Sequence, residues 1–203
     1  SGKEVFAYIP GAFYKGPTGT PAVNGLQALG NPDFVHYNFA DSTPVTADVD
    51  FGNTPGGGGT ADWRTILIGS LGKGGRGLYA IDITKPADIT SEASAAAKVL
   101  WEINADDASA HPELGYTFGE PQLIKTSKYG WVVIFGSGYN NQDGKGYIFI
   151  VNPRTGAVLD KIKTESPDAT PTNQAGLAHV QAFIPKPKDG TADAIYAGDL
   201  HGN

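Results

Sequence analysis

The sequence predicts an all-β fold, a partial β-propeller of four-stranded antiparallel blades. Three observations predict it. The 203 residues include 28 Gly and 14 Pro, and Gly at roughly twice its usual share favours many short strands joined by tight turns. The longest apolar runs, WVVIF at 131–135 and IFIV at 148–151, have the length of buried strands. Finally, three stretches repeat one order: "PVTADVDF…WRTILIGSLGKGGRGLYAIDIT…KVLWEIN", "PQLIKTSKYGWVVIFGSGYNNQDGKGYIFIVNPRTGAVLDKIKTE" and "HVQAFIPKPKDGTADAIYAGDLHGN". Each has an apolar strand, a loop, a second strand and a Gly-rich turn, and in the first two a third and fourth strand follow. A sandwich would explain the strands but not their recurring order.

Taken in turn, period-two patterning predicts strands at 3–9, 44–51, 63–71, 77–84, 98–104, 121–126, 130–138, 146–152, 157–163, 178–184 and 192–198. Only "TSEASAAAK" at 90–98 reads as a helix, with Thr90 or Ser91 as its N-cap. Residues 10–40 are the least regular stretch. Tyr14, Phe34, Tyr37 and Phe39 run through it, so it is expected to be a long ordered loop pinned by aromatics. The Gly-rich segment 53–59 is expected to be a flexible hairpin tip. Two full and two partial blades result, and a chain without Met is expected to be a stretch of something longer. Isolated blades cannot cover their own faces.

Composition excludes several function classes. There is no Cys, which removes disulfides, zinc–thiolate sites and thiol nucleophiles. The net charge is −6 with 15 scattered Lys and Arg, so the basic stripe that nucleic acid requires is missing. No apolar run approaches the about 20 residues of a membrane helix.

Most short motifs have a plain structural reading. GKGGRG at 72–77 matches the dinucleotide fingerprint, but that fingerprint needs a following helix, and LYAIDI at 78–83 is an alternating strand. A hairpin turn is expected there. His36, His111, His179 and His201 share no ligand spacing and are expected on the surface or in packing. Asp48 and Asp50 face one side of a strand, where solvated charge is the economical view over a cation site. Segments 139–145 and 152–156 read as turns. In the closing stretch, Asp189-Gly190, Thr191 by its carbonyl and Asp193 fit the second half of a calcium loop. Pro185 and Pro187 stand where the first half needs oxygen ligands. Exposed Trp and Tyr at loop ends would mark a sugar-binding propeller, whereas Trp63, Trp101 and Trp131 sit at strand positions.

The blocks "KEVFAYIP", "WRTILIGSLGKGGRGLYAIDIT", "VLWEI", "LGYTFGEP", "GWVVIFGSGY" and "ADAIYAGDLHGN", in this order, resemble the C-terminal β-propeller domain of the PilC/PilY proteins of type IV pili. The resemblance covers nearly the whole chain apart from 10–40 and 56–62. It implies that residues 1–203 are a fragment of a single C-terminal propeller domain, incomplete at both ends and related in shape to quinoprotein dehydrogenases.

It further implies an exported, non-catalytic protein at the pilus tip, outer-membrane surface or periplasm of a Gram-negative bacterium. Such a protein opposes pilus retraction and supports attachment and twitching motility. Its implied partners are minor pilins and a host-cell or abiotic surface receptor, with no organic cofactor. In the family a calcium loop precedes "YAGDL", and its occupancy controls extension against retraction. Asp189, Thr191 and Asp193 match its last three ligand positions and Pro185 and Pro187 its first two, so Ca2+ has few ligands here. The family's occasional Arg-Gly-Asp is absent, since Leu78 follows Arg76-Gly77. The alternative from another class is a quinoprotein (PQQ-dependent) dehydrogenase-like enzyme. That chemistry needs a closed ring with acid, amide and base at its centre, and no such cluster is visible in the sequence.

Overall fold

The first repeat folds as an antiparallel meander of β1 (Val45–Asp50), β2 (Trp63–Ser70), β3 (Gly77–Asp82) and β4 (Val99–Asn104), in that spatial order. The computed structural model describes residues 2, 4–16, 19–55, 59–105, 111–185 and 189–203. The second repeat gives β5 (Gln122–Thr126), β6 (Gly130–Gly136), β7 (Tyr147–Val151) and β8 (Val158–Lys163) in the same meander. The third gives β9 (Val180–Phe183) paired antiparallel with β11 (Ala194–Ala197). Between them β10 (Thr191–Ala192) leaves its own sheet and pairs parallel to β5. This is the antiparallel four-stranded arrangement that the sequence predicts.

Alternation along the strands explains the stacking. In β6 and β7, Val133, Phe135, Phe149 and Val151 point to the first sheet, where they meet Val49, Ile66, Ile68, Leu78 and Ala80. Val132, Ile134, Ile148 and Ile150 point the other way, onto Leu177 and Val180 with Ala182, Ile195 and Ala197. The middle sheet is thus covered on both faces, which is why its strands read as unbroken apolar runs. The rings of Phe135 and Phe149, cross-strand partners, stack with centroids 5.1 Å apart.

The two full sheets share fine detail. Each has a register shift between its third and fourth strands, at Ala80/Ile81 and at Ile150/Val151. Each closes its third strand with a polar residue, Asp82 as the last of β3 and Asn152 just after β7, whose side-chain oxygen accepts from the backbone N–H two residues on. One ring ties the sheets together. The Trp101 indole N–H donates to the Pro153 carbonyl at 2.9 Å, and its ring packs where a Cβ on Gly156 would lie 2.7 Å away, so only Gly fits there.

Antiparallel pairing sends the connections alternately to the two ends of the stack. At one end lie residues 71–76, 111–121, 137–146, 164–179 and the C-terminal turn, together with 26–44 leading into β1. Backbone bonds chain them into a belt: Asp41 N–H to Leu71 O, Gly72 N–H to Thr117 O, Gly115 N–H to Ser137 O, Gly138 N–H to Leu177 O and Leu200 N–H to Ala175 O. Residues 51–55, 59–62, 83–98, 127–129, 152–157, 184–185 and 189–190 lie at the opposite end.

Four expectations are corrected. Of the strand expected over 3–9, the described residues 4–9 form none. The segment instead crosses the outer face of the first sheet, with the Tyr8 ring 5.2 Å from Tyr79 and its hydroxyl donating to Glu102, which also accepts from Gly11 N–H. Phe6 and Tyr8 face inward while Val5 and Ile9 are exposed, so the period of two is real but no strand edge is beside it. The stretch 10–40 holds two short helices, α1 (Gly11–Lys15) and α2 (Pro21–Asn24), and a 3-10 turn. Aromatics do pin it, with Phe13 edge-on to Phe39 at 5.5 Å. The strand expected over 192–198 is split at Asp193, whose N–H donates to Phe183 O. The helix at 90–98 shortens to α3 (Glu92–Ala96), with a capping box between Ser91 and Ser94. The 53–59 connection joins antiparallel neighbours as expected, and its tip, 56–58, lies outside the described residues.

Candidate functional site

The belt end carries a cleft of about 530 Å3 between the 34–38 segment, the β2–β3 turn and the 116–118 and 138–140 segments. The 137–146 loop holds one wall, because Tyr116 bridges to Tyr139 and Phe118 packs on the Tyr139 ring at 5.7 Å. Arg76 lies 5.3 Å from the centre of the Tyr116 ring. The opposite wall is fixed by the Phe34–Tyr37 ring contact at 6.2 Å and by Ser42 against Ser70, hydroxyl to hydroxyl, at 2.7 Å. Asn24 and His36 line this space, and into it open the faces of Tyr37, Tyr116 and Phe118 and the polar ends of Asn38, Lys73 and Asn140. The side chains of Asn38, Lys73, Asn140 and His36 make no hydrogen bond or ion pair among the described residues. Asn140 has φ +61°, and among the described residues it is the one non-glycine in the left-handed region. No carboxylate lines the cleft.

The closing loop lies at the other end of the stack. Asp189 Oδ1 accepts from Thr191 N–H at 3.0 Å, closing a turn through Gly190 at φ +67°. Thr191 is held beside Lys125 by the β10–β5 pairing, and Asp193 is exposed. Pro185 is exposed, and Pro187 falls outside the described residues. Two carboxylates and a carbonyl are fewer than the roughly six to eight oxygens calcium takes. Among the described residues no three His, Asp or Glu side chains gather where they would hold a metal ion.

The other sequence candidates take structural roles. The four histidines stay apart, with His111 edge-on to Phe149 at 6.1 Å. Asp48 accepts from the Thr65 hydroxyl at 2.6 Å, and Asp50 accepts from Gly52 and Asp62 N–H, capping the turn after β1. GKGGRG is a hairpin connection into β3. Asn141 fastens the 139–145 loop through the carbonyls of Glu113 and Lys145. Asp199 of "AGDLHGN" docks the C-terminal turn onto the β8–β9 connection. Burial pushes its carboxyl up, but donation from the Ser166 hydroxyl and from Asn203 outweighs it and holds it well below the usual range. Sequence reasoning took exposed Trp and Tyr at loop ends as the sign of a sugar site but placed only the three tryptophans, and so missed the cleft. Trp63, Trp101 and Trp131 do lie in strands, and the aromatics at the loop ends are Tyr37, Tyr116 and Phe118, two of them inside "LGYTFGEP".

Sheets stacked in chain order, with their first strands β1, β5 and β9 along one edge around Val45, Leu123 and Ala182, define a β-propeller domain. The chain belongs to the PilY1 β-propeller domain family, which matches residues 1–203. It is 36% identical over 202 residues to the type IV pilus biogenesis factor PilY1 of Pseudomonas aeruginosa strain PAO1, covering 100% of this chain and 15% of that protein. A PilY1 homolog of Xylella fastidiosa is 32% identical over 208 residues, with 12% of its length covered. The crystal structure of the P. aeruginosa PilY1 C-terminal domain superposes with a TM-score of 0.66 at 34% identity, over 98% of this chain and 33% of that one. The chain therefore spans a small part of the length of its relatives.

Proposed function

We propose that this chain is part of the C-terminal propeller of an exported, non-catalytic type IV pilus biogenesis factor. It acts at the pilus tip or outer surface, where it opposes retraction and supports attachment and twitching. The observation that carries the reading is the identity of 36% to a named pilus biogenesis factor along the entire chain. Supporting it, no helix among the described residues is long and apolar enough to cross a membrane. Contacts with minor pilins and with a host or abiotic surface are the partner chemistry this reading assigns. Deleting the gene is expected to reduce surface pili and twitching, and piliation is expected to return when retraction is also disabled. Unchanged piliation and motility in the deletion strain would contradict the reading.

Calcium modulation, in the same proposal, rests on Asp189, Thr191 and Asp193 alone, with water completing the shell. So few protein ligands imply half-saturation on the order of 1 mM. A calorimetric titration giving sub-micromolar binding, or none at 10 mM, would contradict it.

A further inference from the structure

The cleft between the 34–38 segment and the Tyr116–Phe118 wall has a composition that packing does not explain. Besides Asn24 and His36, its polar lining includes Asn38, Asn140 and Lys73, and the side chains of these last three have no protein partner among the described residues. Its apolar surface is aromatic: Phe118 is 39% exposed although one side is packed on Tyr139. From these we propose that the cleft is a binding site for an acidic saccharide, a sugar unit carrying a carboxylate.

Each part of the ligand has a counterpart. Neighbouring sugar hydroxyls both donate and accept, and so do the primary amides of Asn38 and Asn140, which offer paired N–H and carbonyl groups. The C–H face of a pyranose ring is apolar and broad, matching the open faces of Tyr116 and Phe118. The volume, about 530 Å3, falls within the roughly 300–1,000 Å3 of small-ligand sites and admits one to two sugar rings.

Charge selects the acid. In a chain of net charge −6, the lining contains Lys73 and no carboxylate, so a carboxylate entering the cleft meets a cation without a competing acid. The other ligand classes fit less well. A nucleotide's phosphates call for several cations or a row of backbone donors, and one lysine lines this cleft. An extended peptide calls for a free strand edge, and the cleft is walled by turns.

The left-handed backbone of Asn140 gives the test a clean variant. Asn140→Gly keeps that conformation without strain and removes only the amide. Saturation-transfer NMR on the purified full chain, with 3′-sialyllactose and trigalacturonate as acidic probes and lactose and galactotriose as neutral ones, reads binding from the sugar's own protons. The expected result is transfer to ring C–H protons of at least one acidic probe, with its neutral counterpart bound about tenfold more weakly, as loss of one charge-assisted hydrogen bond implies. Lys73→Gln is expected to bring each acidic and neutral pair within about twofold of one another. Asn140→Gly is expected to weaken both about fivefold with an unchanged circular dichroism spectrum. No transfer to any saccharide, equal binding of acidic and neutral probes, or binding indifferent to both variants would overturn the proposal. The readout is independent of piliation, so the saccharide site and the pilus role fail separately.

Discussion

Gly138 joins β6 to the 139–145 loop at φ +73°, and a Cβ there would lie 1.8 Å from the Tyr116 carbonyl oxygen. The close approach lets Gly138 N–H donate to Leu177 O and Tyr139 N–H to Tyr116 O, so one residue touches three connections of the belt. Gly138→Ala combines a disfavoured backbone angle with a backbone clash. It is expected to destabilise the fold by about 3 kcal/mol or more, read as a lower urea midpoint at unchanged slope; a midpoint equal to wild type would contradict the belt. At this scale the sequence announces that "GSGY" is a turn and is silent on what the turn approaches. The same holds for Asp50, whose spacing with Asp48 suggests shared solvent exposure, whereas its carboxylate is taken up by Gly52 and Asp62 N–H. Local spacing does not encode a partner twelve residues away.

Among elements, legibility follows burial. β6 and β7 are plain in the sequence because both their faces are covered and almost every residue is apolar. The fourth strands are legible from alternation, and the capped helix from Ser91. Residues 4–10 alternate because one side lies on the Tyr79 face of the first sheet. That patterning is identical to a strand's, and only a hydrogen-bonding neighbour distinguishes the two. α1 and α2, of five and four residues, are too short for a 3.6-residue period to register. Asp193 interrupts 192–198 because β10 is recruited by the edge of β5, a non-local event. The same non-locality hides the cleft, whose residues come from four connections separated by up to about a hundred positions.

Over the whole molecule, the repeats produce a fan. Tyr79 and Phe149 occupy equivalent places in the first and second sheets. Phe149 packs backward on the first sheet, while Tyr79 packs backward on the N-terminal segment. Forward of the third sheet, Phe183 and Tyr196 are 52% and 62% exposed. Blocks that carry the family resemblance, "LGYTFGEP", "GSGY" and "AGDLHGN", fall in the belt that holds the sheet ends together, so the resemblance records how the vanes are clamped as well as their strands. The central claim is that the middle sheet is buried between two others. Native-state hydrogen exchange tests it most directly. Amides of β6 and β7 are expected to exchange last, at the rate of global unfolding, with β9 and β11 opening earlier; exchange in β6 and β7 as fast as in β9 and β11 would contradict the stacked arrangement.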